Sequence, residues 1–282
     1  MTTKPGIFIV GYPRSGTTLV QQLVSRDNQV CTFPETQFLS IMNPITIKRF
    51  FIPKIYLLKK AIVYFNRVTG SKFSLRDFEA PFICKKKYYL KMYFNMLNSL
   101  IIKSKYNRWC EKTPRHLHFV KDLLTSNHSV LVICVVRNPV AAINSLYRVT
   151  NSHPSEWNGK SHGMSLNKCI LRWKADLFKV YSLIDCPRVA FVDYDTLLDY
   201  EYETIEYLNV FLDCKMKVSN QDVNLDVIES HELWKKNNER PIFNNPKTYD
   251  NHNYIMSRLY KSDLDIYFQL KAIHRKKLGI SS

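Results

Sequence analysis

Gly11-Tyr12-Pro13-Arg14-Ser15-Gly16-Thr17-Thr18 is the most informative stretch of this chain. It follows the apolar residues 7–10 and precedes apolar residues at helical spacing, which predicts a strand, a tight loop and a helix. Gly11 and Gly16 permit backbone conformations that turn amide N–H groups inward, at the positive end of the helix dipole. The sequence therefore predicts a loop that binds an anionic group, typically phosphate, through its main chain.

The loop has the spacing of the first six positions of the nucleotide-binding P-loop, but Thr17 stands where that motif has its lysine. This substitution disfavours ordinary ATP or GTP hydrolysis. Arg14, within the loop, can supply the missing positive charge as a planar fork. The alternative for the loop taken alone is a glycine-containing turn without a ligand.

Composition points to acidic partners. The 282 residues carry a formal net charge of +17, which suits a nucleotide, an anionic glycan, a membrane surface or nucleic acid. The seven cysteines are odd in number and scattered without a CxxC pair, so neither a disulfide framework nor a zinc site is indicated. With no apolar leader near the N-terminus, we expect a cytoplasmic protein.

Apolar strand patterns alternate with helical ones along the chain. Residues 130–136 form an unbroken apolar, largely β-branched run, typical of a parallel strand covered on both faces. We predict an α/β fold, a three-layer α/β/α sandwich with a mainly parallel sheet, in one domain spanning 1–282. Residues 41–108 are interpreted as a helical insertion and 213–253 as a polar loop. Within the insertion, residues 47–65 either pack over an acceptor site or lie on a membrane surface.

Charged residues follow several predicted strands. Glu35 comes after the second strand, and in open α/β folds the carboxyl ends of strands face the ligand crevice. Arg137 directly follows the apolar run, and Ser145 lies eight residues later on the next helix, so both can reach one phosphate. Glu111 and Lys112 are neighbours on a strand, where side chains alternate, so only one of them can point into a given site.

Two motifs resemble those of a known family. Residues 11–18 resemble the 5′-phosphosulfate-binding loop of sulfotransferases, and Val136-Arg137-Asn138-Pro139 with Ser145 is similar to their 3′-phosphate-binding segment. The wider pattern, from the first strand to about Phe211, is similar to tyrosylprotein and carbohydrate-type sulfotransferases. It includes Pro34-Glu35-Thr36, Glu111-Lys112-Thr113-Pro114 and Val192-Asp193-Tyr194-Asp195-Thr196-Leu197.

The resemblance implies a P-loop-like sulfotransferase fold and the cofactor 3′-phosphoadenosine-5′-phosphosulfate (PAPS), with 3′,5′-bisphosphoadenosine (PAP) as product. It implies that the 5′ end of the nucleotide is held by the loop residues Arg14, Ser15, Gly16, Thr17 and Thr18. Arg137 and Ser145 match the 3′-phosphate clamp, and Tyr194 matches a tyrosine that contacts the nucleotide. Glu35 matches the catalytic base and Lys112 a lysine that stabilises the transferring sulfuryl group.

The chain departs from the cytosolic sulfotransferases in two ways. Arg14 replaces their loop lysine, and their glycine-rich C-terminal nucleotide motif is missing. Arg240 and Lys247 are candidates for the adenine side. The sequence predicts metal-independent, in-line sulfuryl transfer to a hydroxyl or amine of a glycan, peptide or small metabolite, with Arg14 and Lys112 assisting catalysis.

Two alternatives remain at this stage. The first is a P-loop kinase-like phosphotransferase, because the strand ending at Asp193-Tyr194-Asp195 imitates the magnesium-binding strand of an NTPase; otherwise Asp195 caps a helix over 196–211. The second is a basic protein without catalytic activity that binds polyanions or a membrane surface. The expected partner is an acceptor substrate, without nucleic acid.

Overall fold

The computed structural model describes residues 4–43, 52–78, 85–102, 104–155, 163–217 and 251–280. Most of the predicted polar loop, with Arg240 and Lys247, lies outside these residues, as do residues 47–51 of the segment considered for a membrane surface. The remaining part of that segment contributes to a helix over Lys54–Thr69. The assignment of 1–282 to one domain stays a prediction.

A parallel β-sheet lies at the centre of the described structure. Its strands are β1 (Ile7–Gly11), β2 (Val30–Thr32), β3 (Arg108–Lys112), β4 (Leu131–Val136) and β5 (Val189–Asp193). They pair in the order β2-β3-β1-β4-β5, and every neighbouring pair is parallel. This confirms the predicted sheet, and the apolar run at 130–136 forms one of its interior strands.

Helices cover both faces of the sheet. Within the described residues they are α1 (Thr17–Val24), α2 (Phe38–Met42), α3 (Lys54–Thr69), α4 (Lys86–Ser99), α5 (Val120–Ser126), α6 (Pro139–Ser152), α7 (Leu166–Tyr181), α8 (Tyr194–Asp199), α9 (Glu201–Leu212), α10 (His252–Arg258) and α11 (Lys261–Lys277). None of these helices is both long and apolar enough to cross a bilayer.

The alternation of side chains along β1 divides the core into two layers. Phe8 and Val10 pack into a large apolar cluster with α2 to α7, α10 and α11. Ile7 and Ile9 face the opposite side and pack against α1, α8 and α9. Because the five residues of β1 are fully buried between these clusters, the predicted three-layer sandwich is confirmed.

The strand order creates a switch point between β1 and β4. The connection after β1 leads through α1 to β2 on one side of the sheet, whereas β4 is followed through α6 and α7 by β5 on the other side. In open α/β sheets, ligands bind in the crevice outside the carboxyl ends of the strands at such a point. The loop at residues 11–18 and the residues after β4 therefore lie where a ligand is expected.

The structure corrects one local prediction. The helix expected over 196–211 is two helices, α8 and α9, and its cap is Asp193 rather than Asp195. The Asp193 carboxylate accepts hydrogen bonds from the Thr196 N–H at 2.9 Å and from the Thr196 hydroxyl at 2.8 Å. The donor lies three positions after the cap, the usual N-cap spacing, and this leaves Asp195 available for other contacts.

Candidate active site

Two glycines shape the loop after β1. Gly11 lies opposite Val135 in the β1–β4 pairing, and a Cβ atom at Gly11 would lie 2.3 Å from the Val135 carbonyl oxygen. Gly16 adopts φ +93°, and a Cβ atom there would lie 2.0 Å from Cδ2 of the Tyr194 ring. The loop therefore passes close to the end of β4 and packs against the residue that follows β5.

The arginines of the two predicted phosphate-binding motifs meet at this loop. Arg14 Nε donates to Ser145 Oγ at 3.2 Å, and Arg137 Nη1 donates to the Arg14 carbonyl oxygen at 3.0 Å. The Arg137 guanidinium lies 4.4 Å from the centroid of the Tyr194 ring, which itself covers Gly16. Five of the residues that the sequence assigns to nucleotide binding thus form one connected group, which we call the arginine cluster.

The remaining loop residues are placed differently. Ser15 is 1% exposed, its N–H donates to the Tyr12 carbonyl oxygen at 3.1 Å, and its hydroxyl has no hydrogen-bond partner among the described residues. Thr17 is buried and begins α1, whereas Thr18 is half-buried. Since the first amides of a helix have no intrahelical acceptor, the N-terminus of α1 offers donors to an anion. The Ser15 hydroxyl is buried, so the predicted contact of Ser15 with the 5′ end of a nucleotide stays a prediction.

The predicted catalytic pair is in direct contact. Lys112 Nζ lies 2.7 Å from Glu35 Oε1, and Gln37 Nε2 donates to Glu35 Oε2 at 2.5 Å. The Lys112 side chain is fully buried, whereas that of Glu35 is 15% exposed. Lys112 pairs in register with Ile9 on β1, and neighbouring strands lie about 5 Å apart, so the ion pair sits beside the strand that leads into the loop.

Glu111 faces the opposite side of β3 and is occupied by structure. Its carboxylate accepts from the Thr36 N–H at 3.3 Å, the Thr36 hydroxyl at 2.9 Å, the Thr113 hydroxyl at 2.6 Å and His116 Nδ1 at 3.0 Å. Burial alone would raise the pKa of Glu111, but His116 and the two hydroxyls outweigh it, and the pKa lies below its usual value. A fully buried carboxylate with four donors does not meet an acceptor substrate.

His116 extends this network to the segment after Glu35. Its Nε2 accepts the Leu39 N–H at 3.2 Å, and its Nδ1 faces the Glu111 carboxylate at 3.0 Å. Residues 36–39 are thereby tied to β3 through Glu111 and His116. No spacing rule in the sequence would have revealed these contacts, because Thr36 lies 75 positions before Glu111 and Leu39 lies 77 positions before His116.

Asp195 lies beside the arginine cluster. Its Oδ2 accepts the Asn138 N–H at 3.3 Å and faces the Tyr267 hydroxyl at 3.4 Å. Burial and the nearby charge of Asp193 raise its pKa, and the charge of Arg137 partly offsets this. Sequence reasoning missed Tyr267, which comes 72 positions after Asp195 without any local motif.

Asp193 gives no support to the kinase-like alternative, in which the strand that ends at this residue would bind magnesium. This side chain is fully buried, one oxygen accepts from Thr196 and the other accepts the Tyr267 hydroxyl at 3.0 Å. Its oxygens are therefore engaged with α8 and α11. Within the described ranges, no three His, Cys, Asp or Glu side chains form a group suited to a metal ion.

Comparisons with known proteins identify the family and support the fold. The model of the sulfotransferase family matches residues 5–217, which include all the residues described in the arginine cluster and the ion pair. The chain is similar to the sulfotransferase domain from the Synechococcus PCC 7002 olefin synthase, with 14% identity, a TM-score of 0.56 and coverage of 96% of this chain and 95% of that one. It is also similar to the sulfotransferase domain from the curacin biosynthetic pathway, with 13% identity, a TM-score of 0.54 and coverage of 96% and 99%. No curated protein matches the sequence significantly.

Proposed function

The chain belongs to the sulfotransferase family, and we propose that it transfers the sulfuryl group of PAPS in line to a hydroxyl or amine of an acceptor. The observation that carries this proposal is the arginine cluster. It places two guanidinium groups, a serine hydroxyl and an aromatic ring around the N-terminus of a helix. Such donors suit a nucleotide that carries phosphate at both its 3′ and 5′ positions.

The residues present fit this nucleotide. Arg14 and the amides at the start of α1 would hold the 5′ end, while Arg137 and Ser145 would hold the 3′-phosphate. The Tyr194 ring, already in contact with the Arg137 guanidinium, would lie against the nucleoside. When bound, PAPS supplies a sulfuryl group on a sulfur–oxygen bond whose electron pair leaves with the 5′-phosphate.

Glu35 is proposed as the general base. It would accept the proton of the acceptor hydroxyl or amine as the acceptor atom bonds to sulfur, a contribution of about 10²–10⁴-fold in rate for a well-placed base. Lys112 and Gln37 hold the two carboxylate oxygens, so the group is oriented before substrate arrives. Lys112 and Arg14 would stabilise negative charge that develops on the sulfuryl oxygens, and such preorganised charges usually contribute most to catalysis.

The acceptor is proposed to be a glycan, a peptide or a small metabolite, selected by residues 41–108 and 150–163. Among the described residues, α2 follows Glu35 in the chain and packs against α3, a helix of the first segment, which supports a role of that segment near the acceptor. A cytoplasmic location remains part of the proposal. The described cysteines, all of which are free thiols, are compatible with a reducing compartment.

The nucleotide proposal is tested by comparing the affinities for PAP and for AMP in an Arg137→Ala variant. We expect the affinity for PAP to fall far more than that for AMP, because AMP lacks the 3′-phosphate. Arg188→Ala is a matched control: its guanidinium donates to the Leu124 and Asn127 carbonyl oxygens at the opposite end of β5. Equal losses for PAP and AMP in Arg137→Ala would contradict the clamp.

The role of Glu35 is tested by Glu35→Gln with labelled PAPS and pooled acceptors. We expect turnover to be lost while PAP still binds, and turnover that persists would remove Glu35 from its role. Glu201→Gln is the control, because Glu201, on α9, is also a carboxylate in an ion pair, with Arg26 at 2.9 Å. Turnover of ATP with magnesium would instead favour a phosphotransferase.

A further inference from the structure

Helix α11 lies beyond residues 5–217, the part of the chain that the family model matches, yet it packs against β5. Its buried residues are Asp263, Tyr267, Leu270 and His274. The His274 ring is fully buried and its Nδ1 accepts the Asp193 N–H at 3.1 Å. Burial lowers the pKa of His274 to about 4, so the ring is neutral and suited to accept this bond at neutral pH. The helix is therefore anchored to the end of β5, directly beside the arginine cluster.

Tyr267 is the residue of α11 that approaches the nucleotide site. Its hydroxyl lies 3.0 Å from Asp193 Oδ2 and 3.4 Å from Asp195 Oδ2, and its side chain is 2% exposed. Burial and the charges of the two carboxylates raise the pKa of Tyr267 well above its usual value. The hydroxyl thus keeps its proton and donates it to one or other carboxylate.

Asp195 connects this hydroxyl to the proposed phosphate clamp. The same Oδ2 atom that faces Tyr267 accepts the N–H of Asn138, the residue directly after Arg137. Asn138 is also the N-cap of α6, since its side-chain oxygen accepts the Val140 and Ala141 N–H groups. The carboxylate therefore holds the turn between β4 and the helix that carries Ser145.

From these contacts we propose that Tyr267 is a positioning residue for the 3′-phosphate clamp, acting through Asp195 on Arg137 and Asn138; this rests on the proposed function. The hydroxyl keeps the Asp195 carboxylate directed toward the Asn138 N–H. Without this donor the carboxylate is less constrained, and because its charge already acts on Arg137, it competes with the phosphate for that cation. A helix outside the family-matched region thus adjusts how tightly the 3′-phosphate is held.

Tyr267→Phe in the full chain tests this proposal, because it removes only the hydroxyl. We expect the Kd for PAP to rise about tenfold, the effect of one hydrogen bond of ordinary strength, while the Kd for AMP changes less than about twofold. In turnover, the KM for PAPS should rise with kcat nearly unchanged. The matched control is Tyr89→Phe, which removes another buried hydroxyl, bonded to Asn43 Oδ1 at 2.8 Å in the insertion, and should leave the PAP-to-AMP affinity ratio unchanged.

A merely structural role predicts a different outcome, namely lower thermal stability with equal effects on PAP and AMP, and that result would overturn the proposal. If Tyr267→Phe does not fold, Asp195→Asn tests the same mechanism with the opposite sign: it removes the carboxylate charge that competes for Arg137, so the PAP-to-AMP affinity ratio should rise, and an unchanged or lower ratio in that variant is equally decisive against the proposal. Arg137→Ala, measured in parallel, distinguishes a failure of the proposed phosphate clamp from a failure of the role of Tyr267. If Arg137→Ala keeps its selectivity for PAP, the proposed clamp fails; if it loses selectivity and Tyr267→Phe does not, only the role of Tyr267 fails.

Discussion

Replacing Gly16 with alanine tests the packing between the phosphate loop and Tyr194. The residue adopts φ +93°, and the new Cβ would lie 2.0 Å from Cδ2 and 2.6 Å from Cε2 of the Tyr194 ring. The left-handed backbone costs an alanine about 1–2 kcal/mol. Overpacking against an enclosed side chain adds about 1–3 kcal/mol, since the ring has to retreat by more than about 1 Å. We therefore expect the free energy of unfolding to fall by about 2–5 kcal/mol.

Gly70→Ala provides the control for the backbone contribution. Gly70 also adopts a left-handed conformation, φ +70°, but no atom lies within 4 Å of the position that its Cβ would occupy. Its replacement by alanine should lower the free energy of unfolding only by the cost of the left-handed backbone, about 1–2 kcal/mol. The difference between the two variants, measured by urea unfolding, isolates the contact between Gly16 and Tyr194.

The same perturbation should weaken nucleotide binding. The Arg137 guanidinium lies 4.4 Å from the centroid of the Tyr194 ring, so displacing the ring displaces the proposed phosphate clamp. We expect the affinity for PAP, measured by calorimetry, to fall at least about tenfold in Gly16→Ala and to stay unchanged in Gly70→Ala. Equal stabilities of the two variants, together with PAP binding as in the unmodified chain, would refute this account of the loop.

Three further predictions concern buried ionisable residues. Glu111→Gln should lower the free energy of unfolding by about 3 kcal/mol or more, because the NH₂ group of the new amide would face hydrogen-bond donors. The pKa of Glu111 is lowered in the folded chain, so its stabilisation is present above pH 4.5 and lost as the pH falls below that value. His274 has a pKa of about 4 against 6.5 when unfolded, so the chain should lose stability between pH 6.5 and 4 at up to about 1.4 kcal/mol per pH unit, and His274→Gln should flatten this part of a urea-unfolding pH series. Lys112→Met should reduce kcat by about 10²–10³-fold in a labelled-PAPS assay with PAP affinity changed only a few-fold, because it removes the cation beside Glu35; unaltered kcat would exclude Lys112 from catalysis.

The features that the sequence predicted well have short-range causes. An interior parallel strand is buried on both faces, so residues 130–136 had to be apolar throughout, and Pro139 suits the first turn of the helix that follows. The glycine expected to shape the loop after β1 is needed there, because a Cβ atom at Gly11 would lie 2.3 Å from the Val135 carbonyl oxygen. These local patterns were sufficient to predict the strand, the loop and the helix that carry Arg14, and the strand and helix that carry Arg137 and Ser145.

The features that escaped prediction depend on distant contacts. Two aspartates flank Tyr194, and spacing alone did not show that Asp193 is the cap while Asp195 turns toward Asn138. Alternation along β3 separated Glu111 from Lys112 correctly. It did not reveal that Thr36 and His116 surround the Glu111 carboxylate. Such networks form only when the chain has folded, and no periodicity in the sequence records them.

The arrangement of the strands separates the two proposed tasks of the site. Lys112 ends β3 and holds Glu35, whereas Arg137 follows β4, and β1 lies between these strands. At about 5 Å per strand, and with Arg137 four residues beyond Ile133, the β4 partner of Ile9, the Cα atoms of Lys112 and Arg137 are about 16 Å apart. At such distances mutational free energies usually add within about 0.5 kcal/mol. Combining Lys112→Met, which should leave a measurable kcat, with Arg137→Ala should therefore give the sum of the separate free-energy effects on kcat/KM. A coupling above about 1 kcal/mol would mean that the carboxylate responds to the occupied phosphate site, and Lys112, whose neighbour on β1 leads into the loop, would then be the residue that transmits it.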